Sequence, residues 1–535
     1  MTRRRPREAL ERLEALASRP LGAVVLFGVA LASYAVVAVA WPLVGGRDLD
    51  EYLYAYVQLF DHDVLLPWSL LFRTPLTPLV AGVSLDALGG ALAEPISALL
   101  FAISIVAWGV AARAFGARVT LVTAVALLLY PGYAAMFHEL SSESVTACAF
   151  AIWAALFALA ASRPSGTRWA LAGLGIALLA YARPGNAVLL VFCLFPLVLG
   201  GRWRPQLGWA AAGAIAAILP LAAWTVHNGL RFHDYALARG GNAVIPFYRA
   251  FITDHIISPE NGSASRRLAT AMREHLLTRQ PYRGYHVSLD ELFRKGSFRV
   301  HEDLYLLSDQ VFGWDDDYAV LRDAGLEGVR AHPGTYAGGV ARTVWNELAA
   351  KAYFRTVPTS SPTSSSSGTE IVEGRRLPRP TEGQPIPAGQ VVWISRPDQS
   401  IRQVWTSPTR WHFEFGKPGQ RRSFQQIQHE VSGLFANLPD RRGNATLAHR
   451  LDQASRWYPR PLLWIVLGLA AMVVRRPPRV RLLLALPLAA FFVVLLNALG
   501  LFTDLHFFLP VAPAFVLLGI GGLLADREPA SARSP

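Results

Sequence analysis

Ten long apolar segments constrain the fold of this chain more than any other feature of its sequence. They are residues 21–43, 95–112, 119–137, 144–161, 169–182, 185–199, 207–226, 461–474, 482–502 and 507–524. A helix needs roughly 20 apolar residues to cross the hydrocarbon core of a bilayer. With 52% hydrophobic residues, this chain of 535 residues is too apolar for an ordinary soluble protein. We therefore predict an all-α polytopic membrane protein with about ten transmembrane helices.

The basic residues predict how these helices are oriented. The formal net charge is +13, but the arginines occur in short clusters between apolar segments, which argues against a nucleic-acid-binding face. If residues 76–92 do not cross the membrane, the clusters at 113–118, 163–168, 202–204 and 475–481 all lie on the side of the N-terminus. This is the positive-inside pattern. We predict a multi-pass protein of the cell membrane whose N-terminus is cytoplasmic.

The same orientation predicts the domain organisation. A cytoplasmic basic N-terminus (1–20) precedes a transmembrane module (21–226), in which the first outer loop (44–94) holds the hydrophobic helix 76–92. A large extracytoplasmic loop domain (227–460) contains a Ser/Thr-rich segment at 359–370 that cannot form a core and is predicted to be flexible. C-terminal transmembrane helices (461–525) and a cytoplasmic tail (526–535) complete the chain.

Three carboxylates follow the first apolar segment. Asp48, Asp50 and Glu51 precede apolar and aromatic residues that recur at helical spacing from Leu49 to Phe60. We predict an amphipathic helix that lies along the outer membrane surface with the acids at its start. One acid in this position could simply cap the helix and interact with its dipole. Three acids before a tyrosine-rich helix favour a functional site.

Acids and cations together at an outer membrane surface suit the transfer of a group from a lipid phosphate. An acceptor hydroxyl needs a carboxylate to take its proton, and a phosphate leaving group needs cations rather than an acid. Arg73, Arg183 and His506 lie at predicted outer boundaries, where a lipid phosphate would sit. Arginines at such boundaries also commonly extend to lipid headgroups. Arg231, Arg239 and Lys351 are the alternative phosphate ligands.

Several short motifs resemble a known family. Asp50-Glu51-Tyr52-Leu53-Tyr54-Ala55 resembles the Asp-Glu-x-x-Tyr-Ala signature in the first outer loop of GT-C fold glycosyltransferases, which include protein O-mannosyltransferases and the aminoarabinose transferase of lipid A. Arg73-Thr74-Pro75-Leu76 stands where these relatives carry Lys-Pro-Pro-Leu, and Arg183-Pro184-Gly185 is similar to their Arg-Pro turn. Glu143 stands where relatives often carry an acid. The stretch from Asp504 to Pro513 resembles their Arg-Tyr-x-x-Pro-x-x-Pro pattern, with His506 near the usual arginine.

The resemblance implies a function and a set of site residues. It implies a membrane glycosyltransferase that moves a sugar, with inversion, from a polyprenyl-phosphate donor to a glycan, lipid or protein acceptor outside the cytoplasm. Asp50 would be the general base, with Asp48 and Glu51 as its competitors. Arg73, Arg183 and His506 would bind the donor phosphate. The resemblance does not cover residues 227–460.

Other assignments remain open from the sequence. His138 and Glu139, with Glu143, either belong to the substrate site or form a solvated turn. Trp314-Asp315-Asp316-Asp317 could bind a divalent cation, but an acidic triplet before an apolar run more often caps a helix, so we predict no metal and no cofactor. The competing functions are a transporter or flippase of lipid-linked sugars and a nonenzymatic membrane scaffold. Transporters usually place ionisable residues near the midplane of the membrane and contain repeats, and neither feature is found here.

Overall fold

The protein is described by a computed structural model of the chain. The described residues are Glu14, 19–61, 63–200, 202–296, 298–349, 369–372, 375–378, 381–382, 392–394, 397–398, 400–407, 410–475, 477, 479–501 and 505–525. Most of the predicted flexible segment 359–370, both chain ends and Lys351 lie outside these residues.

The N-terminal half is helical. Its elements are α1 (Pro20–Ala40), α2 (Leu49–Gln58), α3 (Pro67–Leu71), α4 (Leu76–Asp86), α5 (Ala93–Ala112), α6 (Ala117–Leu128), α7 (Pro131–Met136), α8 (Ser142–Ser162), α9 (Gly166–Ala182), a 3₁₀ segment (Pro184–Val198) and α10 (Trp203–Phe232). A short parallel pair joins β1 (Val44–Gly45) to β2 (Glu139–Leu140).

The remainder mixes helices with short strands. The helices are α11 (Gly241–Tyr248), α12 (Ser263–Ala271), α13 (Tyr282–Tyr285), α14 (Leu289–Lys295), α15 (Phe298–Val311), α16 (Ala319–Ala331), α17 (Pro333–Ala349), α18 (Gln420–Ala436), α19 (Ala445–Ser455), α20 (Pro461–Arg475), α21 (Val480–Gly500), α22 (Leu505–Phe508) and α23 (Ala512–Leu524). The strands are β3 (Thr369–Val372), β4 (Arg375–Pro378), β5 (Thr381–Glu382), β6 (Val392–Ile394), β7 (Ile401–Ser407) and β8 (Arg410–Phe415).

The predicted helical membrane architecture is confirmed. Among the described residues, six helices are long and apolar enough to cross a membrane, and each of the ten predicted segments coincides with helical structure. The segment predicted to remain in the first outer loop forms a short helix. This helix, α4, has 11 residues and a length of roughly 16 Å, which is shorter than a hydrocarbon core of roughly 30 Å.

The basic clusters gather at one end of the helix bundle. Arg479, at the start of α21, donates to the carbonyl of Ala114 at 2.8 Å and to the hydroxyl of Ser162 at 3.3 Å, so the ends of α5 and α8 lie beside it. Arg113 donates to the carbonyl of Arg19, before α1, at 3.1 Å. The first outer loop and the beginning of α8 lie at the opposite end of the same helices. The one-sided charge pattern of the sequence is therefore a property of the folded bundle.

The helix after the acid stretch has the predicted position in the chain but a different environment. Its apolar residues Leu49 and Leu53 are buried against α4 and α18 rather than facing outward along its length. Phe60, which follows the helix, is 81% exposed. The apolar residues of the helix are thus covered by protein, because the distant helix α18 packs over them, and the predicted position along the membrane surface stays a prediction.

The loop domain, here defined as residues 233–460, has two parts. Helices α11 to α16 pack around a core that includes Phe247, Phe251 and Leu321. The second part contains a four-stranded sheet in the order β5-β8-β7-β6, which the all-α prediction missed because its strands are short. Helix α18 follows this sheet and packs Phe424 and Val431 against the first outer loop.

The bundle generates a prediction about orientation. A reporter fused within 163–168, at the basic end, should be cytoplasmic, and one fused within 300–330 should be exported, because translocated loops carry few arginines close to membrane spans. Paired phosphatase and fluorescent-protein fusions measure both positions. A cytoplasmic signal from the 300–330 fusion would reverse the proposed orientation.

Candidate active site

A cavity of about 1050 Å³ lies where the first outer loop, the membrane helices and the loop domain meet. The first outer loop contributes Asp48, Glu51 and Arg73, and the ends of α8 and α9 contribute Glu143 and Arg183. Helix α21 and Phe507 close a third side, and residues from His233 to Asp317 of the loop domain form the fourth. Residues from distant parts of the sequence therefore face one shared cavity.

Local backbone geometry brings Asp48 to the cavity wall. Pairing of β1 with β2 holds the chain beside residues 139–141, where Gly46 is necessary because an added Cβ would lie 2.6 Å from the Cβ of Ser141. Asp48 then adopts a left-handed φ of 57° as the N-cap of α2. Aspartate is among the few residues other than glycine that tolerate this conformation.

Arg73 connects the two acids of the first outer loop that line the cavity. Its Nε donates to Oε2 of Glu51 at 3.0 Å, a second bond runs from Nη2 to the same oxygen, and Nη2 also donates to Oδ2 of Asp48 at 3.3 Å. The guanidinium lies 5.3 Å from the ring centre of Tyr52. Burial raises the pKa of Glu51, although Arg73 opposes this effect. Burial acts to lower the pKa of Arg73, but Tyr52, Glu51 and Asp48 together keep this pKa above its ordinary value.

Asp50 occupies a different position. It is exposed on the first turn of α2 and does not line the cavity. Successive residues on a helix point roughly 100° apart, so the geometry that turns Glu51 inward turns Asp50 outward. The sequence motif placed Asp50 at the centre of the site, but the structure brings Asp48 and Glu51 there instead.

Arg183 forms a second ion pair on the same wall. Its Nη2 donates to Oε1 of Glu143 at 2.6 Å and to the hydroxyl of Ser142 at 2.8 Å. Pro184 ends α9, because proline disfavours helical geometry in the residue before it, and Arg183 is accordingly extended with φ −154°. The ring of Phe507 lies 5.1 Å from the guanidinium. The predicted Arg-Pro turn therefore points its cation into the cavity.

The other predicted site residues that the structure describes do not line the cavity. His506 does not line the cavity. His138 and Glu139 are not part of the cavity wall either. His138 is 1% exposed and stacks on Tyr34 with ring centres 4.1 Å apart, and burial lowers its pKa to about 3. Asp504 lies outside the described residues.

The loop domain supplies cavity residues that sequence reasoning missed or named only as alternatives. Arg239 is 2% exposed and pairs with Asp234 at 2.9 Å and with Asp309 at 2.8 Å. Its guanidinium lies 3.5 Å from the ring centre of Trp314. Burial raises the pKa of Asp309 to about 6 against the opposing charge of Arg239. An arginine held this closely is a structural cation rather than an open phosphate ligand.

The acidic triplet was the candidate metal site of the sequence. The described residues contain no group of three or more His, Cys, Asp or Glu side chains able to hold a metal ion. In the triplet, Asp316 accepts a hydrogen bond at 3.3 Å from the backbone N–H of Val320, in the first turn of α16, whose N-cap residue is Tyr318.

Comparisons with known proteins add one structural match. No family model matches the sequence, and no curated protein matches it. Among solved structures, the chain is similar to the crystal structure of ArnT from Cupriavidus metallidurans bound to undecaprenyl phosphate, with 14% identity, 94% of this chain and 78% of that chain covered, and a TM-score of 0.30. A TM-score of 0.30 supports no correspondence of residues or of function.

The ion pair between Arg183 and Glu143 generates a prediction about stability. The Glu143 side chain is only 2% exposed, so Arg183→Ala leaves a buried carboxylate without its cation, which costs about 3–5 kcal/mol. The midpoint of thermal unfolding in detergent should fall clearly. Adding Glu143→Gln should recover part of the loss because it removes the unpaired charge.

Arg202→Ala is the matched control, since Arg202 is exposed on α10's N-cap. It should leave the unfolding midpoint unchanged. An unchanged midpoint in Arg183→Ala would show that the ion pair does not contribute to the fold.

Proposed function

We propose that this protein is a membrane glycosyltransferase that moves a sugar from a polyprenyl-phosphate donor to an acceptor hydroxyl outside the cytoplasm. One observation carries the proposal. Two arginines, Arg73 and Arg183, face one cavity at the end of the membrane helices opposite the basic clusters, and each holds a carboxylate that also lines it. A phosphate anchored by its lipid chain would enter the cavity at this level.

The charges of this end are balanced before a donor binds. Arg47, Arg73 and Arg183 face Asp48, Glu51 and Glu143, three cations against three anions. A phosphate that binds the arginines must therefore take the place of a carboxylate. Glu51 is the carboxylate best suited to give up its ion pair with Arg73, because burial already raises the pKa of Glu51 and favours its neutral form. Once Glu51 is protonated, Arg73 has a charge available for the phosphate.

Asp48 is the best-placed general base. It accepts one hydrogen bond from Arg73, at 3.3 Å, whereas Glu51 accepts two. Its side chain is 37% exposed on the cavity wall, so an acceptor hydroxyl can reach it. Asp48 would take the hydroxyl proton while the acceptor oxygen bonds to the anomeric carbon of the sugar. The bond from that carbon to the phosphate oxygen breaks, and polyprenyl phosphate leaves with the electron pair, stabilised by the two arginines.

The transfer step generates the test of this function. Protein purified in lipid is incubated with a panel of undecaprenyl-phosphate-linked sugars and candidate acceptors, and release of undecaprenyl phosphate is measured. Asp48→Asn should reduce the single-turnover rate by about 10²–10⁴-fold, because the amide matches the carboxylate in size but cannot take the proton. Binding of the donor should change little.

Asp50→Asn is the matched control. It makes the same chemical change two residues away, on an exposed side chain that does not line the cavity. Its rate should stay within about twofold of the parent rate, since surface changes away from a site have small effects. An inactive Asp50→Asn with an active Asp48→Asn would return the base to the position that the sequence motif indicated. Movement of the lipid-linked sugar from one leaflet of a vesicle membrane to the other, without release of undecaprenyl phosphate, would favour a flippase.

The raised pKa of Glu51 generates a prediction about pH. Below this pKa Glu51 is neutral and Arg73 can bind phosphate, and above it the carboxylate competes with the phosphate. The ratio of the Kd of the parent to that of Glu51→Gln, measured with undecaprenyl phosphate, should rise with pH and reach about fivefold, equivalent to about 1 kcal/mol of charge repulsion. Titration of the phosphate itself cancels in this ratio. A ratio that does not vary with pH would show that Glu51 is not the carboxylate that the phosphate replaces at Arg73.

A further inference from the structure

The loop-domain end of the cavity has a wall of polar side chains that take no part in the transfer step. Tyr305 and His301 lie on α15, and Asp317 follows the 3₁₀ turn Trp314–Asp316. All three line the cavity. Tyr305 is 2% exposed and His301 is 5% exposed, so both are buried apart from this face. These three residues, two on α15 and one shortly after it in the chain, form the α15 cluster.

The cluster contains buried polar atoms whose hydrogen-bonding capacity is not used within the described part of the chain. They are the hydroxyl of Tyr305, Nε2 of His301 and Oδ1 of Asp317. Buried polar groups in folded proteins nearly always have a hydrogen-bond partner, and exceptions commonly mark a functional site. Three such atoms on one cavity wall indicate a ligand with several hydrogen-bonding groups.

The charges at this end exclude a phosphate. Asp234 and Asp315 line it together with Asp317, and Arg239 is already paired with Asp234 and Asp309. Burial lowers the pKa of His301 to about 3, so the imidazole is neutral. Burial, reinforced by Asp234, raises the pKa of Asp317. An anion would therefore meet carboxylates and no available cation among the described residues of this wall.

Hydroxyl groups match these atoms, because each can donate to a carboxylate or to a neutral imidazole and accept from a phenol. Aromatic rings surround the same space. Tyr305 meets Phe72 edge-on with ring centres 6.1 Å apart, and Trp68 stacks on Phe72 at 4.9 Å. A few polar groups among aromatic surfaces are typical of a small-molecule site. We propose that the α15 cluster binds the hydroxyl groups of a neutral sugar ring.

Phe72 joins this sugar subsite to the phosphate end. The guanidinium of Arg73 lies 5.4 Å from the ring centre of Phe72, on which Tyr305 also packs. A ligand whose phosphate binds Arg73 can therefore extend its sugar to the cluster. This inference deepens the proposed function and rests on it. The sugar belongs either to the donor or to the acceptor, since both meet in the cavity.

The test compares two lipid ligands in the full chain reconstituted in lipid. Tyr305→Phe removes only the hydroxyl, and Asp317→Asn keeps the size of the side chain. Each variant should weaken binding of an undecaprenyl-phosphate-linked sugar, or raise the KM for a sugar acceptor, by about threefold to tenfold, the effect of one lost hydrogen bond. The Kd for undecaprenyl phosphate without a sugar should not change.

Tyr285→Phe is the matched control, because Tyr285 is 3% exposed in the same core but does not line the cavity. It should leave all three measurements unchanged. A loss confined to the lipid-linked sugar assigns the subsite to the donor, and a loss confined to the acceptor KM assigns it to the acceptor. An equal loss for undecaprenyl phosphate, or no change in any measurement, would overturn the sugar subsite.

A separate measurement distinguishes failure of the subsite from failure of the proposed function. Saturation-transfer NMR with a panel of free pentoses and hexoses detects sugar binding to the parent directly. If the parent releases no undecaprenyl phosphate but transfers saturation to a free sugar, and Tyr305→Phe abolishes that transfer, the function fails and the subsite stands. If the parent binds neither the lipid-linked nor the free sugars, the subsite is overturned as well.

Discussion

A charge buried beside a membrane must be paired, and this requirement shapes the outer half of the protein. Removing an ion from water costs several kcal/mol unless an opposite charge and further hydrogen bonds compensate for it. Arg183 meets the requirement within the bundle through Glu143. Arg249, only 1% exposed, meets it between domains, because it pairs with Asp254 and donates to the carbonyl of Ala498, on α21, at 2.7 Å.

Hydrogen bonds and apolar contacts also hold the loop domain against the first outer loop. The backbone N–H of Arg239 donates to the carbonyl of Leu71 at 2.9 Å, and the side chain of Asn437 donates to the carbonyl of Leu85 at 2.9 Å. These bonds satisfy polar groups of a loop whose apolar residues are covered by α18. The cavity wall is therefore assembled from the membrane bundle and the loop domain together.

Charge pairing also divides the cavity into two chemically different ends. At the membrane-helix end, Arg73 and Arg183 are each held by a carboxylate, which a phosphate would replace in the proposed function. At the loop-domain end, Arg239 is enclosed by Asp234, Asp309 and Trp314 and has no such exchange available to it. In the proposed function, this division would orient an elongated ligand that has an anionic group at one end and hydroxyl groups at the other.

The sequence by itself determined the helical membrane architecture and the gathering of basic residues at one end, and it singled out Arg73 and Arg183, which both line the cavity. These follow from segment length and from the placement of charges along the chain, which are local properties. Only the tertiary structure decided which acid faces the cavity. Asp48 reaches it because β1 pairs with β2, and Val44 and Glu139 are far apart in the sequence. The α15 cluster likewise depends on packing between distant elements, so no motif in the sequence could have brought His301, Tyr305 and Asp317 together with Arg73.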